Sequence, residues 1–255
     1  MKSKKIAVTG KGGSGKTAIT AILTGLLAKE GKLKILAIDA DSSVSLSYAL
    51  GIAVNKTVSE IRRDIIEDPN IRQEIESRHI REAMADIVQE GKGFDLLTMG
   101  RPEGPGCFCA TNDLLRYGID SLSRQYDITL IDCEAGPEQV NRRVVNGVDF
   151  LLIVTDTSLR GMHAAMAIDD VVRRETNSTR TGLIINKSTG NDRKIMGMAE
   201  HAGLDIVGSV PVDHTLSEFD SLGKPIIDLP ENSPGVQAVR EVMGQMEASL
   251  LSSLS

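Results

Sequence analysis

The sequence predicts an α/β fold in which a doubly wound, mostly parallel sheet is flanked by helices on both faces. Two observations carry this prediction. Short apolar runs alternate with helix-periodic segments along the chain. Aromatic residues make up only 3% of the chain and tryptophan is absent, which suits a parallel sheet rich in Val, Ile, Leu and Ala. With 255 residues, 41% of them apolar, a single domain over residues 1–255 is expected.

Seven apolar runs of strand length define the predicted sheet. They are Lys5–Thr9, Lys34–Asp39, Phe94–Met99, Ile128–Asp132, Phe150–Thr155, Thr181–Asn186 and Ile206–Val210. Helical segments lie between them, including Ile71–Val88 after a cap at Asp68-Pro69. The stretch Val236–Leu251 is predicted to be a helix packed on the core. Because ligands of such sheets bind outside the carboxyl ends of the strands, polar segments at those ends are the candidate functional residues.

The clearest functional motif lies between the first strand and the first helix. It reads Gly10-Lys11-Gly12-Gly13-Ser14-Gly15-Lys16-Thr17. The glycines let successive backbone N–H groups point at phosphates, and the following helix N-terminus adds partial positive charge. Lys16 is expected to reach the β- and γ-phosphates, and the Thr17 hydroxyl to bind Mg²⁺. The motif therefore predicts binding of a nucleoside triphosphate.

A second lysine, Lys11, directly follows the first glycine of this loop. With it, the motif resembles the deviant P-loop family that includes nitrogenase iron protein and the MinD and ParA ATPases. The resemblance implies that Lys11 contacts the nucleotide of a facing subunit, so that ATP lies between two copies of the chain and controls a homodimer. It also places Ala18 near the α-phosphate, where relatives usually carry a second hydroxyl residue.

Two acidic segments after predicted strands resemble the switch regions of that family. The resemblance assigns Asp39 to hydrated Mg²⁺ and Asp41 to the attacking water. It assigns Asp132 to the magnesium shell and the Gly136 N–H to sensing of the γ-phosphate. No protein nucleophile is required, because lysines, backbone N–H groups and magnesium stabilise the transition state. The expected activity is hydrolysis of ATP to ADP and phosphate.

Two later segments resemble the base-binding elements of the family. Asn186 ends a predicted strand, and its amide is expected to read the adenine edge. The segment Pro211-Val212-Asp213 follows the next predicted strand and is expected to offer backbone groups to the same ring. An ordinary strand-end loop is the alternative interpretation of both segments.

The cysteines form a close pair and a single residue. Cys107 and Cys109 lie one residue apart on a loop that is rich in glycine and proline. Zinc or a comparable metal prefers four ligands, and a two-fold dimer would supply two thiolates from each copy. Two unligated thiols are the alternative. Cys133 follows a buried strand and is expected to be a packed apolar thiol.

Together with Asp132-Cys133-Glu134-Ala135-Gly136, the cysteine pair resembles the carbon monoxide dehydrogenase accessory ATPases of the CooC and AcsF type. That resemblance implies a metallochaperone that holds nickel or zinc at a dimer interface. Its expected client is carbon monoxide dehydrogenase or acetyl-CoA synthase, and its role is nickel insertion. Two alternatives stay open, namely an iron–sulfur reductase resembling nitrogenase iron protein and a spatial organiser resembling MinD or ParA.

Charge and hydropathy argue against two classes of partner. The formal net charge of −6 opposes nonspecific binding to nucleic acid. The longest apolar stretch, Phe150 to Val154, is too short to span a bilayer. The predicted C-terminal helix carries only Arg240 as a basic residue, whereas an anionic-membrane anchor needs several. We therefore expect a cytoplasmic protein without a nucleic-acid or membrane partner.

Overall fold

The computed structural model describes residues 3–68, 80–101, 117, 120–136, 147–175 and 180–251. The strands are β1 Lys4–Gly10, β2 Ile35–Ala40, β3 Gln89–Glu90, β4 Asp95–Thr98, β5 Ile128–Cys133, β6 Phe150–Thr155, β7 Arg180–Ser188 and β8 Ile206–Pro211. The helices are α1 Lys16–Glu30, α2 Ser45–Leu50, α3 Val58–Glu67, α4 Ile80–Ala85, α5 Leu159–Glu175, α6 Arg193–His201, α7 His214–Ser221 and α8 Pro234–Leu251. Two short 3-10 helices span Ser123–Gln125 and Ile226–Asp228.

The predicted doubly wound sheet is confirmed. The strands form one eight-stranded sheet in the order β3-β4-β2-β5-β1-β6-β7-β8. Every pairing is parallel except that between β3 and β4, which is antiparallel. Helices cover both faces, since α1, α2 and α8 share one buried apolar cluster while α3, α4, α5 and α6 share the other. The strands β2 and β6 are buried along their whole length, which explains why each begins with an unbroken apolar run, residues 35–38 in β2 and 150–154 in β6.

One feature of the segment between β2 and β4 differs from the sequence prediction. Asp68, predicted to cap the start of the next helix, is the C-cap of α3, and residues 69–79, which follow it, lie outside the described residues. Of the segment predicted to be helical through Val88, the structure describes only the last part, where α4 ends at Ala85. The chain then turns into β3, a two-residue strand that the sequence analysis missed. Gln89 and Glu90 carry no apolar run, so their strand depends on pairing with β4.

The C-terminal helix packs on the core as predicted. Val236, Val239 and Met246 are buried on one side of α8, together with strand residues of β8. Gly208 in β8 lets the helix come close, because a Cβ at this position would lie 2.4 Å from a methyl carbon of Val242. The apolar stripe of this helix is therefore occupied by the protein's own sheet.

Gly10, at the end of β1, has no room for a side chain. Its φ is +150°, and an added Cβ would lie 2.1 Å from the backbone oxygen of Val154 in β6. Because that oxygen belongs to a central strand, Gly10→Ala is expected to lower the melting temperature by about 5 °C or more. Circular dichroism during heating measures this. Gly244→Ala in α8 is the control, since nothing lies within 4 Å of its added Cβ. It should leave the melting temperature unchanged or raise it, and equal behaviour of both variants would contradict the expected clash.

Candidate nucleotide site

The glycine-rich loop connects the centre of the sheet to α1. Gly13 and Gly15 adopt φ values of 76° and 95°, which residues with a Cβ rarely do. The loop closes on itself through the Ser14 amide, which donates to the Lys11 carbonyl at 3.2 Å. Gly15 is the N-cap of α1 and makes no side-chain cap hydrogen bond. The first-turn amides of α1, through Ala18, therefore face the loop without a side-chain cap, as an anion site requires.

Two polar side chains of the loop are buried without a short hydrogen bond to any of the described residues. The Ser14 hydroxyl has no hydrogen-bond partner within the part of the chain that the structure describes. Lys16 is buried, and its ammonium lies 3.5 Å from the Lys11 carbonyl oxygen, the long limit for a hydrogen bond. Buried polar groups are normally satisfied. A hydroxyl and an ammonium in a loop of exposed amides fit the oxygens of a phosphate chain.

Two carboxylates meet beneath the start of α1. Asp39 in β2 and Asp132 in β5 are directly paired in the sheet register, and both are fully buried. The Thr17 hydroxyl donates to Asp132 at 2.7 Å, and the Thr20 hydroxyl lies 3.4 Å from the other oxygen. Asp39 accepts backbone N–H groups of Asp41 at 3.2 Å and Leu46 at 2.9 Å.

Burial and nearby negative charge raise the pKa values of both carboxyls. Burial, together with the charge of Asp132, raises the pKa of Asp39 to about 7, although two backbone N–H groups oppose the shift. Burial likewise raises the pKa of Asp132 to about 6, against the opposing effects of Thr17 and of the Lys16 charge. Crowded carboxylates beside a hydroxyl are the hard oxygen ligands that Mg²⁺ prefers. The Thr17 hydroxyl donates its hydrogen bond to Asp132 and has the Ser45 hydroxyl 3.3 Å away, which leaves one lone pair on its oxygen for the ion, so the donor set fits magnesium.

Asp41 lies at the open side of the same site. It is only partly buried, and its carboxylate accepts the Ser43 amide at 2.8 Å. Its charge contributes to the raised pKa of Asp132, although burial is the larger cause. The structure thus brings Asp41 near the buried pair while leaving it accessible to water.

Lys11 makes a contact within its own chain that the sequence analysis missed. Its ammonium lies 3.6 Å from a carboxylate oxygen of Asp156, and 38% of the Lys11 side chain is exposed. Burial raises the pKa of Asp156, but hydrogen bonds from Ser158 and the Lys11 charge outweigh it, so the pKa falls below its ordinary value. Asp156 directly follows β6, at the strand edge where the other site residues lie. Its position directly after an apolar run is the sequence signal that could have identified Asp156 as a site residue.

Gly136 and Asn186 both contact the phosphate loop. The Gly136 amide donates to the Gly10 carbonyl at 3.1 Å, so sensing of a γ-phosphate requires this bond to break. The Asn186 amide donates to the Ser14 carbonyl at 2.8 Å and accepts the Lys187 N–H at 2.8 Å. Asn186 therefore anchors the loop in this structure, and its contact with adenine stays a prediction.

The second expected base-binding segment is largely engaged in local structure. Asp213 is the N-cap of α7, where it accepts the backbone N–H groups of Thr215 and Leu216. The Gly235 amide donates to the other carboxylate oxygen at 2.8 Å. The Val212 N–H donates to the Ser188 carbonyl at 3.0 Å. Pro211 ends β8. Any contact of this segment with adenine must therefore use its remaining backbone groups.

The three cysteines fall into two groups. Cys133 is fully buried, and burial raises the pKa of its thiol to about 12, which confirms the predicted packed thiol. Cys107 and Cys109 lie outside the described residues. Within the described ranges, no three or more His, Cys, Asp or Glu side chains gather as a metal cluster. Among the helices in these ranges, none is both long and apolar enough to span a bilayer.

Residues 5–226 match the family described as the CobQ/CobB/MinD/ParA nucleotide binding domain. The chain belongs to this family. The resemblance to MinD and ParA ATPases that the loop motif indicated is thereby confirmed at the level of the family. CobQ/CobB/MinD/ParA proteins bind nucleotide, so the loop, Lys16 and the buried carboxylates form the candidate nucleotide site of this member.

Individual relatives cover nearly the whole chain. An uncharacterised ATP-binding protein of Methanocaldococcus jannaschii is 37% identical over 93% of this chain and 96% of its own length. The carbon monoxide dehydrogenase accessory protein CooC of Rhodospirillum rubrum is 30% identical over 88% of this chain and 90% of its own length. Among solved structures, the septum site-determining protein MinD of Pyrococcus horikoshii in complex with Mg-ADP matches with a TM-score of 0.72. It is 22% identical and 98% of each chain is covered, so this likeness shows the shared fold.

Proposed function

We propose that this family member is an ATP-hydrolysing metallochaperone that works as a nucleotide-controlled homodimer. The observation that carries the hydrolytic part is the meeting of Lys16, Thr17 and Asp132 at the carboxyl edge of the sheet, with the 2.7 Å bond between Thr17 and Asp132. The phosphate loop binds the phosphates of the nucleotide, and the buried carboxylates bind the Mg²⁺ that accompanies them. Such a site is built for a magnesium nucleotide rather than for a free anion.

Each side chain of the site has a separate task in hydrolysis. Loop amides and Lys16 bind the β- and γ-phosphates and stabilise the charge that develops on them. Thr17, Asp39 and Asp132 would hold Mg²⁺ and its hydration shell, and the ion offsets phosphate charge when it is bound. Asp41 orients the water that attacks the γ-phosphorus. The products are ADP and inorganic phosphate, and no covalent intermediate on the protein is needed.

The dimeric part of the proposal rests on Lys11. Its ammonium is half-exposed at the mouth of the loop, and its partner Asp156 is also partly exposed. An exposed ion pair contributes little to stability, typically less than about 1 kcal/mol. Lys11 is thus free to exchange Asp156 for the phosphates of a nucleotide held by a second copy. In this proposal ATP closes the dimer, and the Gly136 N–H exchanges the Gly10 carbonyl for the γ-phosphate. Hydrolysis then releases the Gly136 segment from the γ-phosphate.

The metal-handling part rests on the spacing of Cys107 and Cys109 and on the CooC relative. Two copies of the pair offer four thiolates, the number that zinc and related metals prefer. Nickel or zinc is the cargo in this proposal. The expected client is carbon monoxide dehydrogenase or acetyl-CoA synthase, which receives nickel when hydrolysis opens the dimer.

Anaerobic titration with Ni²⁺ and Zn²⁺ tests the metal site. Wild type is expected to bind one metal per two chains, and Cys107→Ser with Cys109→Ser is expected to lose that metal while still binding Mg-ATP. Cys133→Ala is the matched control, because it removes the buried thiol and should retain the metal. Stoichiometric metal in the double serine variant would contradict the proposal. ATP-driven dimerisation of wild type without any metal would instead favour a spatial organiser.

A further inference from the structure

β7 ends in an irregularity that concerns one residue, Lys187. The register between β7 and β8 shifts between Asn186 and Ser188. Lys187, which lies between them, has a φ of 57°, in the left-handed region that side-chain-bearing residues seldom adopt. Such strain persists only where the surroundings impose it, and irregularities of this kind beside functional sites re-aim a side chain.

The side chain of Lys187 is aimed at the phosphate loop. Its ammonium donates to the Gly13 carbonyl at 2.9 Å, and the neighbouring Asn186 amide donates to the Ser14 carbonyl at 2.8 Å. Two consecutive residues of β7 thus hold two consecutive carbonyls of the loop. The fit is close at Gly15, where an added Cβ would lie 2.2 Å from the Asn186 side-chain nitrogen.

The hydrogen bonds to these two carbonyls also fix the direction of the loop's N–H groups. In a planar trans peptide, the carbonyl of one residue and the N–H of the next point in opposite directions. Anchoring the Ser14 carbonyl therefore sets the direction of the Gly15 N–H. Anchoring the Gly13 carbonyl sets the Ser14 N–H, which closes the loop on Lys11 at 3.2 Å. The loop is held in one shape before any ligand arrives.

We infer that Lys187 is a positioning residue for nucleotide binding, an inference that rests on the proposed nucleotide site. It acts by pre-ordering the loop, which lowers the conformational cost of binding. The β- and α-phosphates are common to ADP and ATP, so both nucleotides should depend on Lys187 by the same factor. The chemical step should depend on it much less, because Lys187 contacts the loop backbone and not the reacting atoms.

Calorimetric titration of Lys187→Met with Mg-ADP and Mg-ATP tests this inference. Both affinities are expected to fall about tenfold, as for one charge-assisted hydrogen bond, while kcat at saturating ATP changes less than about threefold. Lys187→Arg keeps a charged donor and should recover most of the affinity. Lys187→Gly removes the backbone strain together with the ammonium, and it should bind as weakly as the methionine variant.

Lys194→Met is the matched control, because it removes an exposed lysine on α6 close to the same edge. It should bind both nucleotides as wild type does. Equal weakening in Lys187→Met and Lys194→Met would mark a general effect of charge and overturn the inference. Wild-type affinity in Lys187→Met or in Lys187→Gly would also overturn it and leave the nucleotide site intact. If wild type bound neither nucleotide, the proposed function itself would fail.

Discussion

Lys16→Ala is expected to abolish measurable ATP hydrolysis and to weaken nucleotide binding about a hundredfold or more. Lys16 is buried inside the phosphate loop, and among the described residues its ammonium makes one long hydrogen bond, of 3.5 Å, to the Lys11 carbonyl. A buried lysine with so long a hydrogen bond is poised for an incoming anion, and removing one donor to transition-state charge costs about 10²–10³ in rate. Release of phosphate and calorimetric titration with Mg-ADP measure the two effects.

Lys29→Ala provides the control for Lys16→Ala. Lys29 lies in the last turn of the same helix, where its exposed ammonium pairs with Glu231 at 3.2 Å. This variant should bind and hydrolyse ATP as wild type does, because an exposed ion pair far from the loop contributes little. Turnover at the wild-type rate in Lys16→Ala would show that the loop does not carry the chemistry.

Lys11→Ala is expected to abolish ATP-dependent dimerisation and to lower kcat about a hundredfold, while the affinity of the monomer for ADP changes less than about threefold. Lys11 is half-exposed at the mouth of the loop, and within its own chain it bonds Asp156 rather than the loop. Its contribution to hydrolysis therefore requires a facing copy, which supplies transition-state charge stabilisation in trans. Sedimentation velocity with and without Mg-ATP separates dimerisation from binding.

Asp156→Asn distinguishes the two possible partners of Lys11. This variant removes the negative charge that faces Lys11 at 3.6 Å but keeps the lysine. If the lysine acts across subunits, Asp156→Asn should dimerise at the same or a lower ATP concentration than wild type. If the ion pair within one chain were the important contact, Asp156→Asn and Lys11→Ala would lose dimerisation together.

Much of the fold was predictable because buried strands appear in the sequence as short runs of apolar residues. All seven apolar runs became strands, since strands covered on both faces need apolar residues at every position. The two-residue strand β3 could not be predicted in this way, because Gln89 is buried through pairing with β4 and not through an apolar pattern.

The residues of the site that directly follow apolar runs were predictable in the same way, whereas the contacts between distant residues were not. The loop and the acids Asp39 and Asp132 follow apolar runs directly, and the parallel sheet brings their ends to one edge. The contacts of Lys11 with Asp156 and of Asn186 with the loop join residues that are far apart in the chain. Neither the periodicity nor the motif spacing of the sequence indicates such contacts, and the sequence analysis assigned Lys11 and Asn186 to the nucleotide instead.

The solution mass of wild type most directly tests the central claim that nucleotide controls a homodimer. Light scattering would compare the protein with Mg-ADP and with Mg²⁺ plus a non-hydrolysable ATP analogue, under anaerobic conditions. We expect the mass of one chain, 27.4 kDa, with ADP, and twice that mass with the analogue. A single-chain mass at saturating analogue, with the nucleotide demonstrably bound, would contradict it.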